Sequence, residues 1–212
     1  MAAIKVCGIT DQEGLETALS LGVERIGLMF AATSPRCIDL TIADKLAQIA
    51  RGKTKIVAVL VDPGDKQVKR IVDVVRPDFL QLHGKESPKR VRSLWKQFRI
   101  PIIKAFAISN AKDVLDANRF STTAAEFLFD AKPPAQATRN GGLGIVFDWA
   151  LLTAVKPARP YLLAGGLTAQ NVGEAIRISG AAMVDVSSGV ETNVGVKDPV
   201  LMEQFCTAAR EQ

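Results

Sequence analysis

IVAVLVDPGDKQVKRIVDVVRPDFLQLHGKESPKRVRSLWKQFRIPIIKAF, residues 56–106, carries two full cycles of one pattern. It opens on an unbroken apolar run at 56–61. It then passes into a helical period at Val68, Ile71, Val72 and Val75, and returns to an apolar run at 79–82. The cycle repeats, with Val91, Leu94, Trp95 and Phe98 at i, i+3, i+4 and i+7 before a third run at 102–106. Short apolar runs without polar alternation read as parallel strands covered on both faces, and the 3.6-residue period reads as amphipathic helices laid over them. Ser87-Pro88 supplies a cap and a first-turn proline for the second of these helices.

Moving outward, the same alternation reaches both ends of the chain. Further apolar runs stand at 4–7, 25–30, 126–129, 161–163 and 183–186, and helical stretches lie between them. Thr10-Asp11-Gln12-Glu13 has the form of a capping box, Thr41, Asn110 and Thr168 are cap candidates, and residues 197–210 form a last amphipathic helix. The reading is an α/β protein, a single (β/α)8 TIM barrel, with residues 1–212 as one catalytic domain. A doubly wound open sheet shows the same βαβα order; eight units of similar length favour closure. Residues 130–144, with Pro133-Pro134 and Gly141-Gly142, are too rich in glycine and proline for a helix and read as an active-site loop.

Composition narrows the functional classes. Of 212 residues, 48% are hydrophobic and 23% charged, as in an ordinary globular protein, and no run approaches the ~20 apolar residues of a membrane helix. The start, MAAIKVCGIT, lacks the form of a secretory signal, so a cytoplasmic location is expected. Cys7, Cys37 and Cys206 are too few and too scattered for a disulfide framework or a zinc site, and His83 is the one histidine, so no metal is expected. The net charge of +5 is dispersed, and a single Tyr and two Trp offer little for stacking bases. That argues against nucleic acid and suits a small anionic substrate.

In a barrel the working groups lie where each strand runs into its loop. Those positions hold Cys7, Ser34-Pro35-Arg36, Gln81-Leu82-His83-Gly84, Asp130, Ala164-Gly165-Gly166 and Asp185-Val186-Ser187-Ser188-Gly189. Glycine-rich turns with Ser187 and Ser188 can cradle a phosphate on backbone N–H groups. Cys7 and Asp130 on one rim can divide base and acid work, although each type is also common as a buried hydrophobe or a loop anchor. Arg36 can fork onto a carboxylate, and His83 can serve a rim hydrogen bond.

The motifs themselves carry a resemblance. KVCGIT at 5–10, SPR at 34–36, QLHGKE at 81–86, FD at 129–130, GGLGIVFDW at 141–149, LAGGL at 163–167, DVSSGVE at 185–191 and GVKD at 195–198 together resemble the phosphoribosylanthranilate isomerase family. The resemblance spans 5–198. It implies a cofactor-free Amadori rearrangement in tryptophan biosynthesis, acting on a small phosphosugar–anthranilate substrate in a monomer or homodimer. Cys7 falls on the family's general base and Asp130 on its general acid. Arg36 falls on the contact to the anthranilate end, with His83 and Asp185 at substrate-binding positions. Gly165, Gly166, Ser187, Ser188 and Gly189 fall in the phosphate loops. The chain departs from the family's habit at Leu143, where a small hydroxyl residue is common, and at Ile145. The implied chemistry asks for a protonated Asp130 and for a positive field around the Cys7 thiolate. Related phosphosugar barrels fit less well: a metal-dependent epimerase needs several histidines, and the histidine-pathway isomerase has aspartate where Cys7 stands. A non-catalytic phosphate-binding module is the alternative from another class.

Overall fold

Strand β1 (Ala3–Cys7) is paired on one side with β2 (Arg25–Met29) and on the other with β8 (Met183–Val186), which closes the sheet on itself. Between them β3 (Lys55–Leu60), β4 (Phe79–Leu82), β5 (Ile102–Ile108), β6 (Glu126–Ala131) and β7 (Tyr161–Leu163) follow in chain order, all parallel. The computed structural model describes residues 1–132 and 146–212. The eight strands and eight helices make the expected (β/α)8 barrel. The loop expected at 130–144, with Leu143 and Ile145, lies almost wholly outside the described residues.

The period of two along each strand divides the core into two layers. Outward-facing Ile4, Ile26, Leu28, Leu80, Phe127 and Phe129 pack against the helices. Inward-facing Cys7, Val57, Val59, Ile103, Leu128 and Leu162 fill the barrel with Met29, Phe79 and Met183 around them. At the bottom, Arg25 of β2 crosses the interior to Glu126 of β6, with Nη1–Oε2 at 2.5 Å and Nη2–Oε1 at 2.9 Å. Its guanidinium carbon stands 4.2 Å from the centre of the Phe79 ring. The floor of the barrel is therefore an ion pair laid on an aromatic ring.

Helices α1 (Gln12–Ser20), α2 (Leu40–Ala50), α3 (Asp65–Val75), α4 (Pro88–Phe98), α5 (Ala111–Ala117), α6 (Ala150–Val155), α7 (Val172–Ser179) and α8 (Pro199–Arg210) cover the outside. The expected caps stand at Ser87, which accepts from Arg90 N, and at Asn110, whose capping box uses Asp113. Elsewhere carboxylates displace the threonines. Asp11 accepts from Gly14 N at the start of α1 and Asp39 from Ile42 N at the start of α2, while Thr10 instead donates to Gly195 O at 2.7 Å. Thr168 does not cap either, because α7 starts after Asn171. In α4, Trp95 lies 42% exposed, so the apolar face is narrower than its spacing suggests.

The last helix is also shorter than its sequence pattern. Residues 191–198 form a small antiparallel hairpin, β9 (Glu191–Asn193) and β10 (Val196–Lys197), and Asp198 caps α8. Lys197 thus points toward the barrel rim rather than lying on a helix.

Candidate active site

One pocket opens where the strands end, and all ten residues singled out from the sequence line it: Cys7, Arg36, His83, Asp130, Gly165, Gly166, Asp185, Ser187, Ser188 and Gly189. The chain uses strand ends from around the barrel to bring them together, the arrangement that the fold offers to any chemistry.

Cys7 closes β1 with its side chain turned inward, and it sits opposite Gly27 of β2 in the sheet register. A Cβ at position 27 would stand 2.8 Å from Cys7 Sγ, so the glycine keeps the space that the thiol occupies. Two positions earlier on the same face, Lys5 is fully buried and donates to Asp185 of β8 at 2.8 Å. Burial alone would lower the Lys5 ammonium, but Asp185 and Cys7 outweigh it and hold it above its ordinary value. For Cys7 the balance goes the other way. Burial pushes the thiol up, and the charges of Lys5 and Lys197 only partly oppose it. The positive field expected around the thiol is present, yet the pocket as it stands favours thiol over thiolate.

Asp130 lies near the end of β6 and faces His83, with Oδ2 3.5 Å from Nε2. That is long for a hydrogen bond and close enough to become one after a small rotation. The other ring nitrogen, Nδ1, is 3.2 Å from Gln81 Nε2. The turn that carries His83 is fixed from below. Buried Lys104 donates to Leu82 O at 3.1 Å and Gly84 O at 2.9 Å, and pairs with Glu86 at 3.0 Å. Glu86 in turn accepts from Gly84 N and Asp62 N. Lys104 is lowered by this burial, with Glu86 opposing the shift. Lys104 and Glu86 therefore scaffold the rim.

Arg36 is buried against the pocket wall, and its fork already holds a carboxylate. Nε donates to Glu191 Oε1 at 2.8 Å and Nη2 to Oε2 at 2.6 Å. Glu191 also receives Lys197 Nζ at 2.7 Å. Burial works against the Glu191 carboxylate, but Arg36 and Lys197 outweigh it and hold its carboxyl below the ordinary range. Nη1 of Arg36 makes no hydrogen bond among the described residues. Ser187 is committed too: its hydroxyl donates to Cys7 O at 3.0 Å, and Lys197 Nζ reaches Ser187 O at 3.1 Å. Gly165 and Gly166 both take positive φ, 88° and 64°, which glycine adopts freely. Asn171 ties this turn by accepting from Thr168 N and donating to Gly166 O.

A family model described as N-(5'phosphoribosyl)anthranilate (PRA) isomerase matches residues 4–208. The chain belongs to this isomerase family. A curated relative from Rhodopseudomonas palustris (strain BisA53), named N-(5'-phosphoribosyl)anthranilate isomerase, is 45% identical over 207 residues, covering 98% of this chain and 95% of the relative. Among solved structures, phosphoribosyl anthranilate isomerase from Thermotoga maritima superposes with a TM-score of 0.90 at 30% identity, covering all of both chains. Another, of phosphoribosyl anthranilate isomerase in complex with reduced 1-(o-carboxyphenylamino)-1-deoxyribulose 5-phosphate, has a TM-score of 0.87 at 29% identity, again over all of both chains.

Within this family framework, five pocket-shaping residues received no role from the sequence. They are Lys5, Gln81, Gly27, Glu191 and Lys197. Four of them stand inside the quoted motifs, so the motif pattern marked them without saying what they touch. No group of three or more His, Cys, Asp or Glu side chains that could hold a metal ion occurs among the described residues. No described helix is long and apolar enough to cross a membrane.

Proposed function

We propose that the chain catalyses the cofactor-free Amadori rearrangement of N-(5-phosphoribosyl)anthranilate to 1-(2-carboxyphenylamino)-1-deoxyribulose 5-phosphate, a step in tryptophan biosynthesis. The observation that carries this reading is the placement of Cys7 and Asp130 in one pocket with the Gly165-Gly166 and Ser188-Gly189 turns. A phosphate anchored on those turns leaves the sugar to span toward both reactive groups.

The Asp130 carboxylic acid gives its proton to the furanose ring oxygen as the C1′–O bond breaks, and the anilino nitrogen supplies the electron pair that forms the Schiff base. The Cys7 thiolate then takes the C2′ proton. The C–H pair becomes the C1′–C2′ double bond of an enolamine, and the iminium pair returns to nitrogen. The enol proton leaves as C1′ takes one up, which gives the ketone. Passage of the proton from Cys7 back to Asp130 restores both groups, so nothing is consumed. Arg36 serves the carboxylate end through Nη1, and Asp185 holds Lys5 beneath the thiol. The three free cysteines suit the reducing cytoplasm, and a site walled by one chain serves a monomer or a homodimer.

Freshly generated substrate tests this directly through the loss of anthranilate fluorescence. Cys7→Ala and Asp130→Asn each lower turnover by about 10²–10⁴-fold while product still binds. Near wild-type turnover in either variant removes that residue from its role. No turnover from the folded wild type points instead to another phosphosugar substrate.

A further inference from the structure

We propose that Gln81 is a positioning residue that holds His83 in the tautomer carrying its proton on Nε2, so that the ring N–H is aimed at the Asp130 carboxyl. Its importance to turnover rests on the reading of Asp130 as the acid; the tautomer itself does not.

Gln81 and His83 are two residues apart, so both side chains leave the β4 end on the inward face. Gln81 is almost completely buried, and its Nε2 lies 3.2 Å from His83 Nδ1. With the amide nitrogen facing the ring, it donates and Nδ1 accepts, which leaves the proton of a neutral ring on Nε2. On the far side of the ring, Nε2 faces Asp130 Oδ2 at 3.5 Å. The backbone that carries the ring is held in place. His83 N donates to Leu60 O at 2.8 Å, and the carbonyls on either side of it accept from Lys104. What remains to be set is where the single ring proton resides.

The two amide orientations differ in what they permit at Asp130. With the amide reversed, Nδ1 would carry the proton and a bare Nε2 would face the carboxyl, an arrangement that suits only a protonated Asp130. A proton on Nε2 suits both of its states, because either a carboxylic acid carbonyl or a carboxylate accepts from it. An acid that starts each cycle protonated and finishes ionised needs the second arrangement. The contact is stronger once charge appears on Asp130, since a hydrogen bond to an ionised acceptor is roughly twice as strong as a neutral one. Gln81 Oε1 has no hydrogen-bond partner among the described residues, so the contact with His83 is the one that couples the amide to the ring.

Because His83 is the one histidine in the chain, its ring nitrogens can be read without assignment in a two-bond ¹H–¹⁵N correlation spectrum of uniformly labelled protein. The expected wild-type spectrum, with the ring neutral, shows a protonated Nε2 and an unprotonated Nδ1. Gln81→Glu replaces the donor with an acceptor and should move the proton to Nδ1; Gln81→Met should give a mixture. In both variants kcat falls by about ten- to a hundredfold with little change in KM, less than the ~10²–10⁴-fold of losing the acid itself. A proton on Nδ1 in the wild type, or an unchanged pattern in Gln81→Glu, overturns the lock. A changed tautomer with full turnover, while Asp130→Asn is inactive, overturns its service to the acid. An active Asp130→Asn instead defeats the acid assignment and leaves the tautomer result standing.

Discussion

Arg36 and Glu191, 155 positions apart in the chain, meet in a two-bond pair on the pocket wall, with Lys197 closing on the same carboxylate. The guanidinium is thereby held in one orientation, with Nη1 left for a ligand. Its rigidity is borrowed from Glu191, and that dependence can be measured.

Glu191→Gln leaves two buried cations without their counter-charge. Breaking such a pair costs on the order of 3–5 kcal/mol. Urea unfolding should show that loss, and KM should rise because Arg36 is no longer oriented. A variant as stable as wild type, with unchanged KM, would mean that the pair neither supports the wall nor orients Arg36.

Lys5 and Asp185 make a second dependence inside the barrel, both nearly inaccessible to solvent. Lys5→Met strands a buried carboxylate and should cost about 3–5 kcal/mol, whereas Lys5→Met with Asp185→Leu removes both charges and should regain most of it. Turnover should stay low in both, since the thiol has lost its nearest cation. Calorimetry of the three proteins decides the matter: a double variant no more stable than Lys5→Met rules out the stranded charge as the cause.

Cys7 gives stability a pH dependence with a definite sign. Burial raises its thiol above the ordinary 9.0 in the folded protein. Below 9.0 both folded and unfolded chains keep the proton and nothing changes. From there up to the folded value, the unfolded chain loses its proton first, so stability falls as pH rises. Unfolding curves for wild type and Cys7→Ala on both sides of that value isolate this loss, because Cys37 and Cys206 are common to both. Lys197→Met should push the thiol higher still, read as thiolate absorbance; an unmoved titration would show that Lys197 does not act on it.

At Gly189, an added Cβ would come within 1.9 Å of the Leu167 carbonyl oxygen. Gly189→Ala must therefore part the two turns proposed to hold the phosphate. Forced separations of this kind cost about 1–3 kcal/mol, and the expected signature is a KM rise well beyond that of Ser188→Ala. Inorganic phosphate competing equally well against wild type and Gly189→Ala would place the phosphate elsewhere.

The strands were legible because each is a short apolar run covered on both faces, and composition alone marks such a run. Asp130 was legible as a rim residue for the same reason, as the first polar group after its run. Helix starts were less so. Thr10 and Asp11, or Asp39 and Thr41, satisfy the same pattern, and only the local backbone decides which oxygen reaches the N–H groups. The Arg36–Glu191 and Lys5–Asp185 pairs join positions 155 and 180 residues apart, where no periodicity relates one residue to the other. Gly27 was invisible for a different cause: its function is the absence of atoms beside Cys7.

The Arg25–Glu126 pair at the opposite end of the barrel leads somewhere else. With Phe79 beneath the guanidinium, it plugs the end of the barrel opposite the pocket. The plug shares no residue with the pocket. Heat tolerance could therefore be adjusted at the base, in evolution or at the bench, by exchanging these plugging side chains while the reacting groups above keep their positions.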